Sequence, residues 1–159
     1  MRTIKFKGKS VDSGEWIEGY YYKECDNTYI IEDRQKKKSM LNRNEAVLID
    51  PSIVCQFTGF QDMAGTDIYE GDIVVSPVYP FCLYSQANDK FNPDYVGIVS
   101  WNEYLACFEL RMRKNYSIPG RDVYSNKLRA FNKTWLLEYE VIGSIHDPEW
   151  QQKLNLKTE

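Results

Sequence analysis

Histidine is nearly absent from this chain, and His146 is the only one in 159 residues. A single imidazole excludes a histidine-rich metal centre and leaves one candidate for general-base chemistry at neutral pH. Cysteine is sparse and scattered. Cys25, Cys55, Cys82 and Cys107 stand alone, with no C-x-x-C pair to pin a zinc loop, so neither zinc nor any other cofactor is expected. Four isolated thiols with no apolar leader in MRTIKFKGKS fit free cysteines in a reducing cytoplasm. No apolar run is long enough to span a bilayer. The chain also lacks G-x-S-x-G, H-E-x-x-H and P-loop patterns, which removes the common hydrolase, zinc-protease and nucleotide-binding signatures. There is no basic surplus. The net charge of -3 gives no global case for nucleic-acid binding, although a local basic patch stays compatible with it.

What the chain does contain is apolar and aromatic: 43% hydrophobic and 14% aromatic residues, enough to build a core without staples. The pattern is that of strands. Thr3 to Lys7 alternates, with Ile4 and Phe6 on one face. Asp12-Ser13-Gly14 marks a turn before the aromatic strand Glu15 to Lys23, and Asp26-Asn27 marks another before Thr28 to Glu32. These three strands predict an N-terminal antiparallel meander over residues 1–50, closed by the boundary signal Asp50-Pro51. Further strands are expected at Ile53 to Phe57, Ile68 to Tyr69, Asp72 to Ser76, Val96 to Trp101, Cys107 to Arg111 and Glu138 to Ile145. Short helices are expected at Asp122 to Ala130 and Glu149 to Leu156. The fold class is therefore mostly β (all-β or β-rich α+β). Its second part, residues 51–159, is expected as a small, partly open barrel of the SH3-like kind, since E-G-D-I-V, a loop, G-I-V-S-W and F-E-L follow in that order.

Three groups of residues are candidates for function. The first is a basic set, Lys36, Lys37, Lys38, Arg111, Arg113 and Lys114, which can contact phosphate. The second is the aperiodic stretch 77–95, where Tyr79, Phe81, Tyr84, Phe91 and Tyr95 crowd a long loop able to stack bases or pack an interface. The third is acidic: Asp62, Asp67, Glu70 and Asp72 supply oxygen ligands for a divalent cation, although their spacing is not that of a calcium loop. The structural reading of the same segment is turn chemistry, with glycines where φ is positive and aspartates bonding nearby amides. His146, beside Asp147, reads as a base oriented by a carboxylate or as a turn residue at a strand exit.

The segment Gln56 to Val74, QFTGFQDMAGTDIYEGDIV, is the densest motif. Its pattern is Q-[YF]-T-G-x-x-D-x-x-G-x-x-I-[YF]-E-G-D-I-V, carried by Gln56, Thr58, Gly59, Asp62, Gly65, Ile68, Tyr69, Glu70, Gly71 and Asp72. Gly14 to Tyr20 (G-x-W-x-x-G-Y), Gly97 to Trp101 and Glu140 to Ile145 follow the same pattern in the same order. In these features the chain resembles the YopX-like family of phage and prophage proteins. It departs at Ile53, Cys55 and Ser144, where that family usually has Thr, Gly and Asn. The resemblance carries no established activity. It implies a non-enzymatic accessory protein of phage or mobile-element origin, cytoplasmic in a host bacterium, acting through protein contacts or as a homo-oligomer. Alternatives are a nucleic-acid-binding module on a small barrel and a metal-dependent enzyme on the acidic cluster.

Overall fold

Short alternating runs separated by turn residues fold into ten strands and one helix among the described residues. The computed structural model describes residues 3–32, 46–75, 96–112, 129–130 and 139–154. The strands are β1 (Phe6–Ser10), β2 (Trp16–Glu24), β3 (Asn27–Glu32), β4 (Ala46–Gln61), β5 (Asp67–Tyr69), β6 (Asp72–Val75), β7 (Gly97–Asn102), β8 (Cys107–Met112), β9 (Arg129–Ala130) and β10 (Glu140–Ser144). The helix α1 is Pro148–Lys153. The chain packs as two compact units, Met1–Gly59 and Phe60–Glu159.

In the first unit β1, β2, β3 and β4 pair antiparallel in that order, and β1 pairs again with β4. This second pairing turns the expected meander into a ring. Its inside is apolar and tight. Ile30 and Ile49 are fully buried, and a Cβ on Gly8 would lie 2.3 Å from the Ile49 side chain, so only glycine fits there. Ile4, expected to share a face with Phe6, lies ahead of β1 and is exposed.

Asp50-Pro51 does not end a strand. Gly8 faces Val54 while Ser10 faces Ile49, so β4 carries extra residues against Lys9 and bulges outward. Proline is tolerated at such a bulge because no ladder N–H is required of it. Asp50 Oδ1 closes the bulge by accepting from Ser52 N (2.9 Å) and Ser52 Oγ (2.6 Å).

The second unit holds the sheet β10-β6-β7-β8-β9, with every pairing antiparallel. Here a small, partly open barrel was expected. Among the described residues this sheet is open, with β10 and β9 at its edges, and the closed pairing belongs to the first unit. Strand pairing between distant segments decides closure, and local patterning does not encode it. Both faces of the second sheet are covered. Val74 of β6 packs with Ile68, Val99, Phe108 and Leu110, while its neighbour Ile73 packs with Val96, Trp150 and Leu154. That is why β6 reads as an unbroken apolar run instead of alternating.

Arg129 and Ala130, expected at the end of a helix, form a strand against β8. The remainder of that expected helix and the loop 77–95 lie outside the described residues. The C-terminal helix is present as α1, starting with Pro148 in its first turn and carrying the pair Glu149 and Lys153 one turn apart. No helix among the described residues is long and apolar enough to cross a membrane.

Helix α1 docks through Trp150, whose indole lies directly over Gly143 of β10. A Cβ at position 143 would fall 1.8 Å from Trp150 Nε1. Overpacking of this kind costs about 1–3 kcal/mol. Gly143→Ala is expected to lower the unfolding free energy in urea by that amount, read as a lower midpoint at unchanged slope, and a wild-type midpoint would mean that α1 is not seated there.

Candidate functional site

The motif residues reach into both units. Gln56 is half-buried on β4 opposite Phe6, Thr58 is buried, and Gly59 takes φ +92°. From Asp62 onward the segment is a knot of turns. Gly65 and Gly71 take φ +83° and +77°, backbone that side chains with a Cβ adopt only with strain. Ile68 and Tyr69 are buried in β5.

Asp62 and Asp72 bind backbone. Asp62 is buried, and its Oδ1 accepts from Ala64 N and Thr66 N, each at 2.8 Å. Its Oδ2 accepts from Val141 N at 3.1 Å, tying the turn to β10. Asp72 is fully buried, and its Oδ2 accepts from Tyr69 N at 2.8 Å. Asp67 Oδ1 accepts from Gln61 Nε2 at 3.0 Å, and Glu70 Oε1 from Trp101 N at 3.4 Å. Gly71 joins both neighbouring strands: its N donates to Val99 O (2.8 Å), and its O accepts from Ile145 N (2.9 Å).

The four carboxylates thus point at four different sets of amide donors. Among the described residues no three His, Cys, Asp or Glu side chains converge on a point where a cation would sit. His146 lies against Gly71, where an added Cβ would be 3.3 Å from its ring. Its backbone N donates to Ser144 Oγ (3.3 Å), and Asp147 Oδ2 accepts from Ser144 N (3.2 Å). The exit of β10 is therefore a turn leading into α1. Cys25, Cys55 and Cys107 are free thiols.

Of the basic set, Arg111 alone is described. Its Nε donates to Glu109 Oε1 at 2.7 Å, and that carboxylate is fully buried. Lys36, Lys37, Lys38, Arg113 and Lys114 lie outside the described residues, as do Tyr79, Phe81, Tyr84, Phe91 and Tyr95.

Glu109 anchors a feature that the sequence did not single out. Its Oε2 accepts from Asn102 Nδ2, and Asn102 Oδ1 accepts from Tyr104 N (2.9 Å) and Leu105 N (3.0 Å). This relay from a buried carboxylate fixes the β7–β8 turn, which closes with Ala106 at φ +50°. The turn holds Tyr104 and Leu105 out at 99% and 59% exposure, beside Trp101 at 37%. The Trp101 ring meets Phe108 edge-on at 5.0 Å. The available signal was N-E-Y-L between two strands, a turn whose central positions are apolar where polar residues are usual.

If Asp62 organises the turn as described, Asp62→Ala leaves the amides of Ala64, Thr66 and Val141 without their acceptor. Bonds to a charged acceptor are worth about 1.5–3 kcal/mol each and are not additive. A loss of about 2–5 kcal/mol in denaturant unfolding is expected. A loss below about 0.5 kcal/mol, the range of a surface substitution, would contradict the assignment.

Known proteins bear on this arrangement as follows. The crystal structure of protein EF1440 from Enterococcus faecalis is similar to the chain at 18% identity, covering 97% of this chain and 99% of that one, with a TM-score of 0.48. No curated protein matches the chain. The family model described as YopX protein matches residues 3–149, most of the sequence and both compact units. The chain belongs to the YopX protein family.

Proposed function

We propose that this chain is a non-enzymatic accessory protein of phage or mobile-element origin that works in the host cytoplasm through protein–protein contact, self-association included. The β7–β8 turn is its contact surface. The observation that carries this reading is the fixed display of Tyr104 and Leu105 beside Trp101.

Large apolar side chains in water are unfavourable by about 25 cal/mol per Å² of surface, and covering them is the usual source of interface energy. Ordering a loop on binding consumes part of that gain, and a turn already locked by Asn102 and Glu109 avoids the loss. Trp and Tyr are the residue types most enriched among binding hot spots. The non-enzymatic part is supported by the use of the acidic segment, whose carboxylates accept backbone and side-chain N–H groups instead of facing a shared cavity.

The test is the solution mass of the full chain by light scattering. An assembly larger than one chain is expected, and Tyr104→Ser with Leu105→Ser should return it to the monomer. Both side chains are exposed, so the melting temperature should hardly move. A native chain that stays monomeric at high concentration overturns the self-association, and so does an assembly that the paired substitution leaves intact.

A further inference from the structure

Lysine recurs at every second position where the first unit begins: Lys5 just before β1, then Lys7 and Lys9 within it. A period of two puts all three on one face of the strand, about 6.8 Å apart. The opposite face, with Gly8 and Ser10, is the buried interior of the ring. Pairing fixes what shares the lysine face. Lys9 stands opposite Trp16 and Lys7 opposite Glu18. β2 then runs through Tyr20 and Tyr22 in unbroken register with β3, so both tyrosines are on that same face.

The ammonium groups lie over aromatic rings. Lys7 Nζ and Lys9 Nζ are 4.8 and 5.1 Å from the Trp16 ring centre, and Lys5 Nζ is 4.4 Å from that of Phe57. Attraction of an ammonium to the face of an aromatic ring biases where a flexible stem points. Trp16 is thus a positioning residue that holds two cations side by side. Tyr20 and Tyr22, farther along β2, present rings that are 49% and 42% exposed.

We propose that this face of the first unit binds single-stranded nucleic acid. A row of lysines whose backbone positions are spaced on the scale of successive phosphates in an extended strand, beside exposed tyrosines, matches such a ligand on both of its chemistries. The lysines meet the backbone and the tyrosines stack on bases. A duplex offers only the first contact, because its bases are already stacked. Glu18 lies within the face opposite Lys7 and opposes the ligand's charge. Its removal therefore carries a prediction of opposite sign. This inference is independent of the β7–β8 turn, which belongs to the second unit.

The experiment is fluorescence anisotropy of the full chain with labelled thymidine and uridine oligomers of about 15 nucleotides, and with a duplex of equal length, over a series of salt concentrations. Either single strand is expected to bind more tightly than the duplex. Lys7→Gln with Lys9→Gln should flatten the slope of log affinity against log salt by about 1.4, which is about 0.7 per lost phosphate contact. Tyr20→Ala or Tyr22→Ala should weaken binding about tenfold. Glu18→Gln should tighten it. No binding of either oligomer at low salt overturns the proposal. So does duplex binding as tight as single-strand binding, or binding that the lysine and tyrosine substitutions leave unchanged in chains of wild-type melting temperature.

Discussion

The carboxylate of Asp62 is the contact on which the second unit depends. A carboxylate taken out of water is unfavourable by several kcal/mol unless the protein supplies donors in its place. Here the donors are backbone amides of Ala64, Thr66 and Val141. Satisfying the charge therefore fixes a turn and recruits the first residues of β10 at the same time. Asp72 repeats the device one turn later through Tyr69 N, and Gly71 between them spends both of its backbone groups on flanking strands. The positive φ of Gly71 follows from that double engagement. The motif is thus dense because each residue limits the next.

Much of this was legible in the sequence, for a definite reason. Turn chemistry is local, so Gly65, Gly71, Asp62 and Asp72 declare themselves within a few positions. A strand such as Trp16–Glu24 shows in its composition because β-branched and aromatic residues suit a pleated, half-buried surface. What was not legible is non-local. The second pairing of β1 joins residues about fifty positions apart, and nothing near Phe6 announces Gln56 as a partner. The bond from Val141 to Asp62 spans 79 positions. Asp50-Pro51 lies inside β4, since a proline breaks a strand only when no bulge accommodates it.

The candidate surfaces divide in the same way. Arg111 looks like a phosphate contact in a list of basic residues. In the fold it sits on the same strand face as Glu109, two positions away, and compensates a carboxylate with no access to water. Drawing Arg111 toward a phosphate would take one of its donors from that buried carboxylate, a loss that offsets what a phosphate contact gains. Counting basic residues in the sequence is therefore a poor guide. The alternation of Lys5, Lys7 and Lys9 was equally visible, but its meaning depends on which side of β1 faces the interior. The fit of Gly8 against Ile49 settles that.

The two surfaces obey opposite physics. Attraction between lysines and phosphates fades as salt rises, because bound counterions are no longer released into a dilute solution. Burial of Tyr104 and Leu105 depends on apolar area and is strengthened by salts excluded from protein surfaces. A chain carrying both need not trade one against the other, since each surface is built on a different unit with its own hydrogen-bonded frame. The ring of the first unit sets the lysine spacing, while the buried Glu109 of the second unit sets the turn. The buried carboxylates Asp62, Asp72 and Glu109 all belong to the second unit, and their geometry gives them one role there, which is to hold its turns in shape.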